Sequence, residues 1–194
     1  MREFAAVFGI TESTRVLDVG GTTANWLLLE MRPRVTLLNM PRAREEAWPG
    51  FELVAASGCC LPFRDRSFDI VFSNSVIEHV GSAEEQRRFA AEVQRVGRHY
   101  WVQTPNRRFP IEPHLLTPFL HYLPRAWQGP LARRCTVWDV VERPSRDRRD
   151  FYIEHYLNDI RLLAAPEMAA LFPGASIRRE RAFGLTKSLI AVKA

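Results

Sequence analysis

Short apolar runs alternate with amphipathic stretches over the first half of the chain. Five runs rich in β-branched and apolar residues predict buried strands at residues 15–19, 35–38, 51–55, 68–73 and 98–104. Apolar positions at helical spacing predict a helix over residues 23–31. A second helix is predicted up to residue 96, with Ser82 and Glu85 as its capping box. Strands that alternate with helices form parallel sheets covered on both faces, so the pattern predicts an α/β fold.

The pattern changes after residue 106. Six prolines and many aromatic residues between positions 107 and 149 predict short helices rather than further strands. Regular patterning returns with a short helix at residues 166–171 and two strands at 175–182 and 186–192, which flank Gly184 as a hairpin. No linker separates domains, so we expect one domain over residues 1–194 with a helical insertion at residues 107–150.

The excess positive charge falls in that insertion. The 194-residue chain has a net charge of +5, and residues 107–149 alone hold nine arginines and four acids, which gives the same net charge. The three cysteines, Cys59, Cys60 and Cys135, lack the spacing of a zinc site and indicate reduced thiols. The sequence contains no run of about 18 apolar residues and no apolar signal core at its start. These features predict a cytoplasmic protein.

A glycine-containing loop follows the first predicted strand and opens the first predicted helix. It reads Asp18-Val-Gly-Gly-Thr-Thr-Ala-Asn25, and such loops let the backbone approach a ligand. The alternative is a tight turn with no ligand. The spacing differs from the G-x-G-x-x-G pattern of dinucleotide sites, and the acid ahead of Gly20 favours a ligand that carries a positive amino group.

Three segments carry a resemblance to a known family. They are Val16-Leu-Asp-Val-Gly20, residues 61–69 (LPFRDRSFD) and residues 71–80 (VFSNSVIEHV). Over residues 14–104 the chain resembles the class I S-adenosylmethionine-dependent methyltransferases, in particular the type 11 and ubiquinone- and menaquinone-type enzymes. The resemblance implies a Rossmann-like sheet of seven mostly parallel strands with helices on both faces, and S-adenosylmethionine as cofactor. The predicted terminal hairpin fits the antiparallel end of that sheet.

The resemblance also implies where the cofactor binds. Asp18 and Gly20 would hold its methionine end, and Gly58 and Cys59 would contact the adenine through the backbone. Asn39 stands where the family usually has an acid that accepts the ribose hydroxyls. Ser57 stands where an aspartate usually contacts the adenine amino group. The complete predicted set is Asp18, Gly20, Gly21, Thr22, Asn39, Met40, Ser57, Gly58, Cys59 and Asn74.

Candidate residues for acceptor chemistry follow the fourth and fifth strands. A carboxylate beside an imidazole raises its basicity and fixes its tautomer, so we predict His114 as a base or substrate ligand and Glu112 as its orienting partner. His79 lies at the edge where such sheets bind ligands, either as a catalytic group or as a structural cap of the next helix. The resemblance argues against a metal ion, because Ser75 stands where quinone-type relatives that bind one carry an acid.

The insertion is predicted to be a substrate lid. Its apolar residues would hold a hydrophobic acceptor, and its arginines would attract an anionic group. The predicted acceptor contacts are Asn106, Phe109, Tyr122 and Trp127. Two alternatives stay open: a helical hairpin that covers the core with a solvated basic rim, and a segment over residues 115–134 that contacts a membrane surface.

These observations predict an enzyme that transfers a methyl group from S-adenosylmethionine to a small-molecule or lipid-like acceptor, at oxygen. The alternative is a catalytically degenerate domain that uses its basic insertion to bind a membrane, a protein or a nucleic acid. A nucleic-acid substrate is not expected, because the fourth strand is not followed by the motif of base-flipping amino methyltransferases.

Overall fold

The computed structural model describes residues 1–40, 50–134 and 136–194. The first part of the chain alternates between strands and helices. Its elements are α1 (Arg2–Phe8), β1 (Arg15–Val19), α2 (Thr23–Leu27), β2 (Arg34–Asn39), β3 (Phe51–Ala55), β4 (Phe68–Asn74), a 3₁₀ turn (Ile77–His79), α3 (Ala83–Val96) and β5 (Gly97–Pro105). The five predicted strands are therefore present. Helix α1 was not predicted.

The rest of the chain contains the insertion and the terminal hairpin. The elements are β6 (Ile111–Glu112), β7 (Thr117–Pro118), a second 3₁₀ turn (Leu120–Tyr122), α4 (Arg125–Arg134), α5 (Val137–Glu142), α6 (Arg146–Asp159), α7 (Ala165–Leu171), β8 (Ser176–Ala182) and β9 (Leu185–Lys193). Strands β8 and β9 form the predicted hairpin, with Gly184 between them at φ 78°.

Seven strands form one sheet in the order β3-β2-β1-β4-β5-β9-β8. Strands β1 to β5 pair in parallel, whereas β9 pairs antiparallel with both β5 and β8. The predicted fold, a mostly parallel seven-stranded sheet with helices packed around it, is confirmed. The strand order reverses between β1 and β4, and sheets of this kind bind ligands beside the carboxyl ends of the strands at that position.

Apolar side chains cover both faces of the sheet. On one face, α3 buries Phe89, Val93 and Val96 against the strands. On the other face, Phe4 of α1 and Trp26 of α2 pack edge to face with their ring centroids 5.8 Å apart. These two layers hold the strand ends in fixed positions.

Helix α2 is shorter than the sequence pattern predicts. It ends at Leu27 instead of continuing to Met31. Of the predicted apolar face, Leu28 is 75% exposed and Met31 is 45% exposed, so burial does not stabilise further turns. The chain also has to reach the start of β2 at Arg34, immediately after Pro33.

The insertion has a hydrophobic cluster of its own. Its main members, Leu115, Trp138, Ile153 and Tyr156, are almost fully buried against one another. Helix α6 runs to Asp159, beyond the predicted boundary at residue 150. Residues 107–159 contain nine arginines and seven acids, so the insertion as folded has a net charge of +2 rather than +5. Over the described residues, none of the helices is both long and apolar enough to cross a bilayer.

Candidate active site

A cavity of about 280 Å³ opens beside the carboxyl ends of β1, β2 and β4. Its walls are mostly backbone and small or apolar side chains, including Gly20, Asn39, Ser57, Gly58 and Val76. His79 lines the same cavity. Six of the ten predicted cofactor residues line it: Gly20, Asn39, Met40, Ser57, Gly58 and Cys59.

Close packing behind the cavity explains the two loop glycines. Gly20 has φ 76°, and a Cβ there would lie 2.5 Å from Val76 Cγ2. A Cβ on Gly21 would lie 1.8 Å from Asp18 Oδ2, so only glycine fits. Asp18 is fully buried and accepts a hydrogen bond of 2.7 Å from Trp26 Nε1. Asp18 and Gly21 thus support the loop from behind the cavity, and neither they nor Thr22 line it.

The two positions that depart from the family pattern are held by local hydrogen bonds. Asn39 Nδ2 donates to the Gly21 carbonyl at 3.0 Å, which ties the end of β2 to the glycine loop. Ser57 Oγ accepts from the Cys59 amide at 3.2 Å. A carboxylate at position 39 could not donate to Gly21, so the asparagine has a structural task in this chain.

The two described cysteines are free thiols. Burial, and then the Glu85 side chain, raises the pKa of Cys59 to about 11. Cys59 Sγ also donates a hydrogen bond to the Glu85 carbonyl. Cys59 is therefore a neutral thiol at neutral pH and acts as part of the cavity wall. Cys135 lies outside the described residues.

A second cavity, of about 560 Å³, lies beside the ends of β4 and β5. Asn74 and Ser75 line this second cavity, whereas Val76 lines the first, so adjacent residues of one segment face both. Asn106 and Phe109 also line it. The Asn106 amide is already occupied, because Nδ2 donates to the Thr186 carbonyl at 2.8 Å and Oδ1 accepts from the Arg108 amide at 3.1 Å.

Two predicted acceptor contacts lie elsewhere. Tyr122 is 49% exposed and Trp127 is 65% exposed, and neither lines either cavity. The structure therefore brings Asn74, Asn106 and Phe109 together at the second cavity and leaves these two aromatic side chains on the outer surface of the insertion.

A line of acids and histidines in close polar contact adjoins the first cavity. His114 Nδ1 lies 2.6 Å from Glu112 Oε1, as predicted for an orienting carboxylate. His114 Nε2 lies 3.2 Å from His79 Nε2, and His79 Nδ1 lies 3.3 Å from His155 Nε2. His155 Nδ1 lies 2.7 Å from Asp159 Oδ2. The structure therefore joins His79 and His114, which are 35 positions apart in the sequence.

The β6–β7 hairpin explains how the insertion reaches both cavities. Its side chains alternate, so Ile111 and Pro113 line the second cavity while Glu112 and His114 turn towards His79. Glu112 is fully buried, and its second carboxylate oxygen accepts from the Leu115 amide at 2.6 Å. Both oxygens of this carboxylate are thus used to position His114.

Glu78 is a fully buried acid beside this line. Its Oε2 accepts a hydrogen bond of 2.9 Å from Thr104 Oγ1, and its Oε1 lies 4.0 Å from His79 Nε2. Burial raises the pKa of Glu78 to about 7. Burial first, and then the neighbouring His114 and His155, lowers the pKa of His79 to about 4, so His79 is neutral at neutral pH.

Glu78, His79 and His114 are also spaced so that they can hold a metal ion. One ligand atom from each lies within 4.8 Å of the others. The sequence did not indicate the contribution of His155 and Asp159. Their spacing of four residues on one predicted helix face is a weak signal, because such pairs are common on solvated helices.

Comparisons with known proteins point to the methyltransferases. Residues 17–99 match the family model described as a methyltransferase domain. An uncharacterised protein of Mycobacterium tuberculosis is 36% identical over 73 residues, which cover 34% of this chain and 25% of that protein. The chain thus spans about a quarter of the length of the curated relatives that it matches.

Solved structures share the fold at low sequence identity. A S-adenosylmethionine-dependent methyltransferase from Aquifex aeolicus aligns with a TM-score of 0.54 and 14% identity over 98% of this chain and 87% of its own. The 1,6-didemethyltoxoflavin N1-methyltransferase of Burkholderia thailandensis was solved with bound 1,6-didemethyltoxoflavin and S-adenosylhomocysteine. It aligns with a TM-score of 0.59 and 17% identity, over 99% of this chain and 75% of its own. A Rhodobacter sphaeroides protein named as a Zn-dependent alcohol dehydrogenase aligns with a TM-score of 0.63 and 13% identity, over 99% of this chain and 88% of its own. At such identities the likeness shows the fold alone.

Proposed function

We propose that this chain, whose residues 17–99 match a methyltransferase domain and whose fold is shared with S-adenosylmethionine-dependent methyltransferases, transfers the methyl group of that cofactor to an oxygen atom of a small-molecule or lipid-like acceptor. The observation that carries this proposal is the position of His79. Its ring lines the cofactor cavity and also contacts His114 at 3.2 Å. A cofactor bound in that cavity would lie beside a cluster of polar, proton-binding groups.

The sulfonium of S-adenosylmethionine already activates the methyl group. The protein has to hold an acceptor oxygen in line with it and keep water out. Methylation of a hydroxyl forms a C–O bond, breaks the S–C bond and the O–H bond, and leaves S-adenosylhomocysteine and a proton. The Glu112–His114–His79 cluster is the part of this chain that would bind the acceptor oxygen and stabilise it as the proton leaves.

The cofactor side supports the same proposal. Gly20 and Gly58 line the cavity without side chains, and Cys59 in the same wall is a neutral thiol and therefore not a strong nucleophile. A wall of this kind binds a cofactor and leaves the chemistry to it. The glycine spacing does not fit a dinucleotide, although one structural neighbour is named as a dehydrogenase.

The insertion favours a hydrophobic, anionic acceptor or a membrane surface. Trp127 and Leu131 lie four residues apart on the exposed side of α4, and Arg134 follows three residues later. The buried side of the same helix carries Gln128 and Ala132. An exposed aromatic and aliphatic pair with a neighbouring arginine is the arrangement of a helix that lies in the headgroup region of a membrane.

Calorimetry with S-adenosylhomocysteine tests the proposal. We expect saturable one-to-one binding to the full chain. The S57W substitution should fill the cavity and weaken binding at least tenfold, whereas S13W, at the opposite edge of the sheet, should bind like the unmodified protein. An absence of saturable heat from the folded, unmodified protein would show instead a domain that has lost its cofactor.

A further inference from the structure

The imidazoles of His79 and His114 face each other without a hydrogen atom to share. A carboxylate only accepts hydrogen bonds, so the 2.6 Å contact with Glu112 requires the proton of His114 on Nδ1. The Nε2 atom of a neutral His114 then presents a lone pair. That atom points at His79 Nε2.

The same reasoning applies from the other end of the line. Asp159 requires the proton of His155 on Nδ1, so His155 Nε2 is an acceptor. His79 Nδ1 must therefore donate to it across 3.3 Å, and His79 Nε2 is left with a lone pair. Two lone pairs thus lie 3.2 Å apart.

Glu78 adds a third acceptor. Its side chain is fully buried, and no hydrogen-bond donor in the described parts of the chain reaches Oε1. Desolvating a carboxylate oxygen without a partner is costly, so Glu78 is stabilised either by a proton of its own or by a positive group beside it. A proton on Oε1 would be too far from His79 Nε2, at 4.0 Å, to form a hydrogen bond, and a proton between the two histidines would leave Oε1 without a partner. A cation can contact all three atoms.

We infer that Glu78, His79 and His114 bind a divalent transition-metal ion of the zinc type. Two imidazole nitrogens and one carboxylate oxygen are a ligand set that such ions accept, and three protein ligands leave a fourth position open. Ligands about 2.0–2.1 Å from a tetrahedral ion lie about 3.3 Å apart, which matches the 3.2 Å between the two Nε2 atoms. Glu78 Oε1 would have to approach His79 Nε2 by less than about 1 Å from its present 4.0 Å.

The surrounding hydrogen bonds fit a metal site. A histidine that binds a metal commonly donates its other ring nitrogen to a carboxylate, which fixes its tautomer. Glu112 accepts from the other ring nitrogen of His114. For His79 the acceptor is the ring of His155, which in turn donates to Asp159. The third ligand, His114, comes from the insertion. Position 75, which carries an acid in relatives that bind a metal, is a serine in this chain.

Metal binding can be measured without an acceptor or methyl transfer. Metal-stripped full-length protein should bind one Zn²⁺ in calorimetry, and Co²⁺ should give the visible absorption of a four-coordinate ion. H114A should weaken binding by more than the 10–100-fold typical of a lost orienting partner, and D159N should weaken it by about tenfold. H99A removes an exposed histidine outside the cluster and should leave the affinity unchanged.

The outcomes separate this inference from the proposed function. Equal Zn²⁺ affinity in the unmodified protein and H114A, or a loss in H99A as large as in H114A, overturns the metal site. The metal site is also overturned if the protein binds S-adenosylhomocysteine but not Zn²⁺. The two histidines would then share a proton instead of a metal ion. Zn²⁺ binding without S-adenosylhomocysteine binding keeps the metal site and rejects methyl transfer. Circular dichroism of each variant checks the fold.

Discussion

The proposed cofactor side and the proposed acceptor side of the site are constructed differently. Strand ends and tight turns form the cofactor side, where Gly20 and Gly58 keep the backbone close to the cavity. Side chains from three separate segments form the acceptor side: His79 from a 3₁₀ turn, His114 from the β6–β7 hairpin and His155 from α6. The first depends on the sheet, and the second depends on how the insertion packs against it.

The two sides also differ in charge. The glycine loop is supported by one buried acid, Asp18, which accepts from Trp26. The acceptor side contains two fully buried carboxylates, Glu78 and Glu112, next to three imidazoles. Burying ionisable groups is costly unless they are paired or bind an ion. A fold does not keep such a cluster for stability alone, which is why we assign the chemistry to this side.

Removing one buried side chain from each region tests this difference most strongly. Ile153 lies in the core of the insertion and Leu17 in the core of the sheet, and both are fully buried. Replacing either with alanine should cost about 2–5 kcal/mol locally. We expect I153A to lose amide protection from hydrogen exchange only over residues 111–159 and to keep its affinity for S-adenosylhomocysteine.

L17A is the matched control, and it should lose protection across the strands together with cofactor binding. If I153A also unfolds the strands, the two regions form one cooperative unit and the comparison fails. If it leaves His114 and His155 as protected as before, the small core of the insertion does not position the acceptor side.

The sheet and the cofactor side were largely predictable. The apolar runs gave five strands because parallel strands are buried on both faces, and the resemblance placed Gly20, Ser57 and Gly58 at the cavity. The pattern missed the early end of α2, because periodicity records only that a face is apolar. It does not record whether that face is covered, and Leu28 is 75% exposed.

On the acceptor side, the sequence predicted only the contact between residues that are close together in the chain. Glu112 and His114 are two residues apart, and their contact follows from a short hairpin. The contacts of His79 with His114 and His155 join segments 35 and 76 residues apart, which no local pattern specifies. The predicted boundary at residue 150 falls inside α6, so the acids at the end of that helix were not counted with the insertion.

The next largest effect is expected for His114. H114A should lower turnover at least about 100-fold while the affinity for S-adenosylhomocysteine changes less than about twofold, because the residue serves the acceptor and not the cofactor. Methyl transfer from radiolabelled cofactor to a panel of hydroxylated aromatic and lipid acceptors measures the first quantity, and calorimetry measures the second. An equal loss of both, or no loss, would contradict this division of the site.

The smallest effect concerns the outer surface of the insertion. Trp127 is 65% exposed on α4, and Phe183 is 95% exposed on the hairpin that completes the sheet. If the insertion contacts a membrane, W127A should weaken co-sedimentation with anionic vesicles at low salt by about tenfold, since a buried aromatic ring contributes about 1.5–3 kcal/mol. F183A removes an even more exposed ring from the other region and should have no effect. Binding that both substitutions weaken alike would indicate non-specific adhesion. A lack of binding by the unmodified protein would leave the exposed arginines free to attract a soluble anionic acceptor.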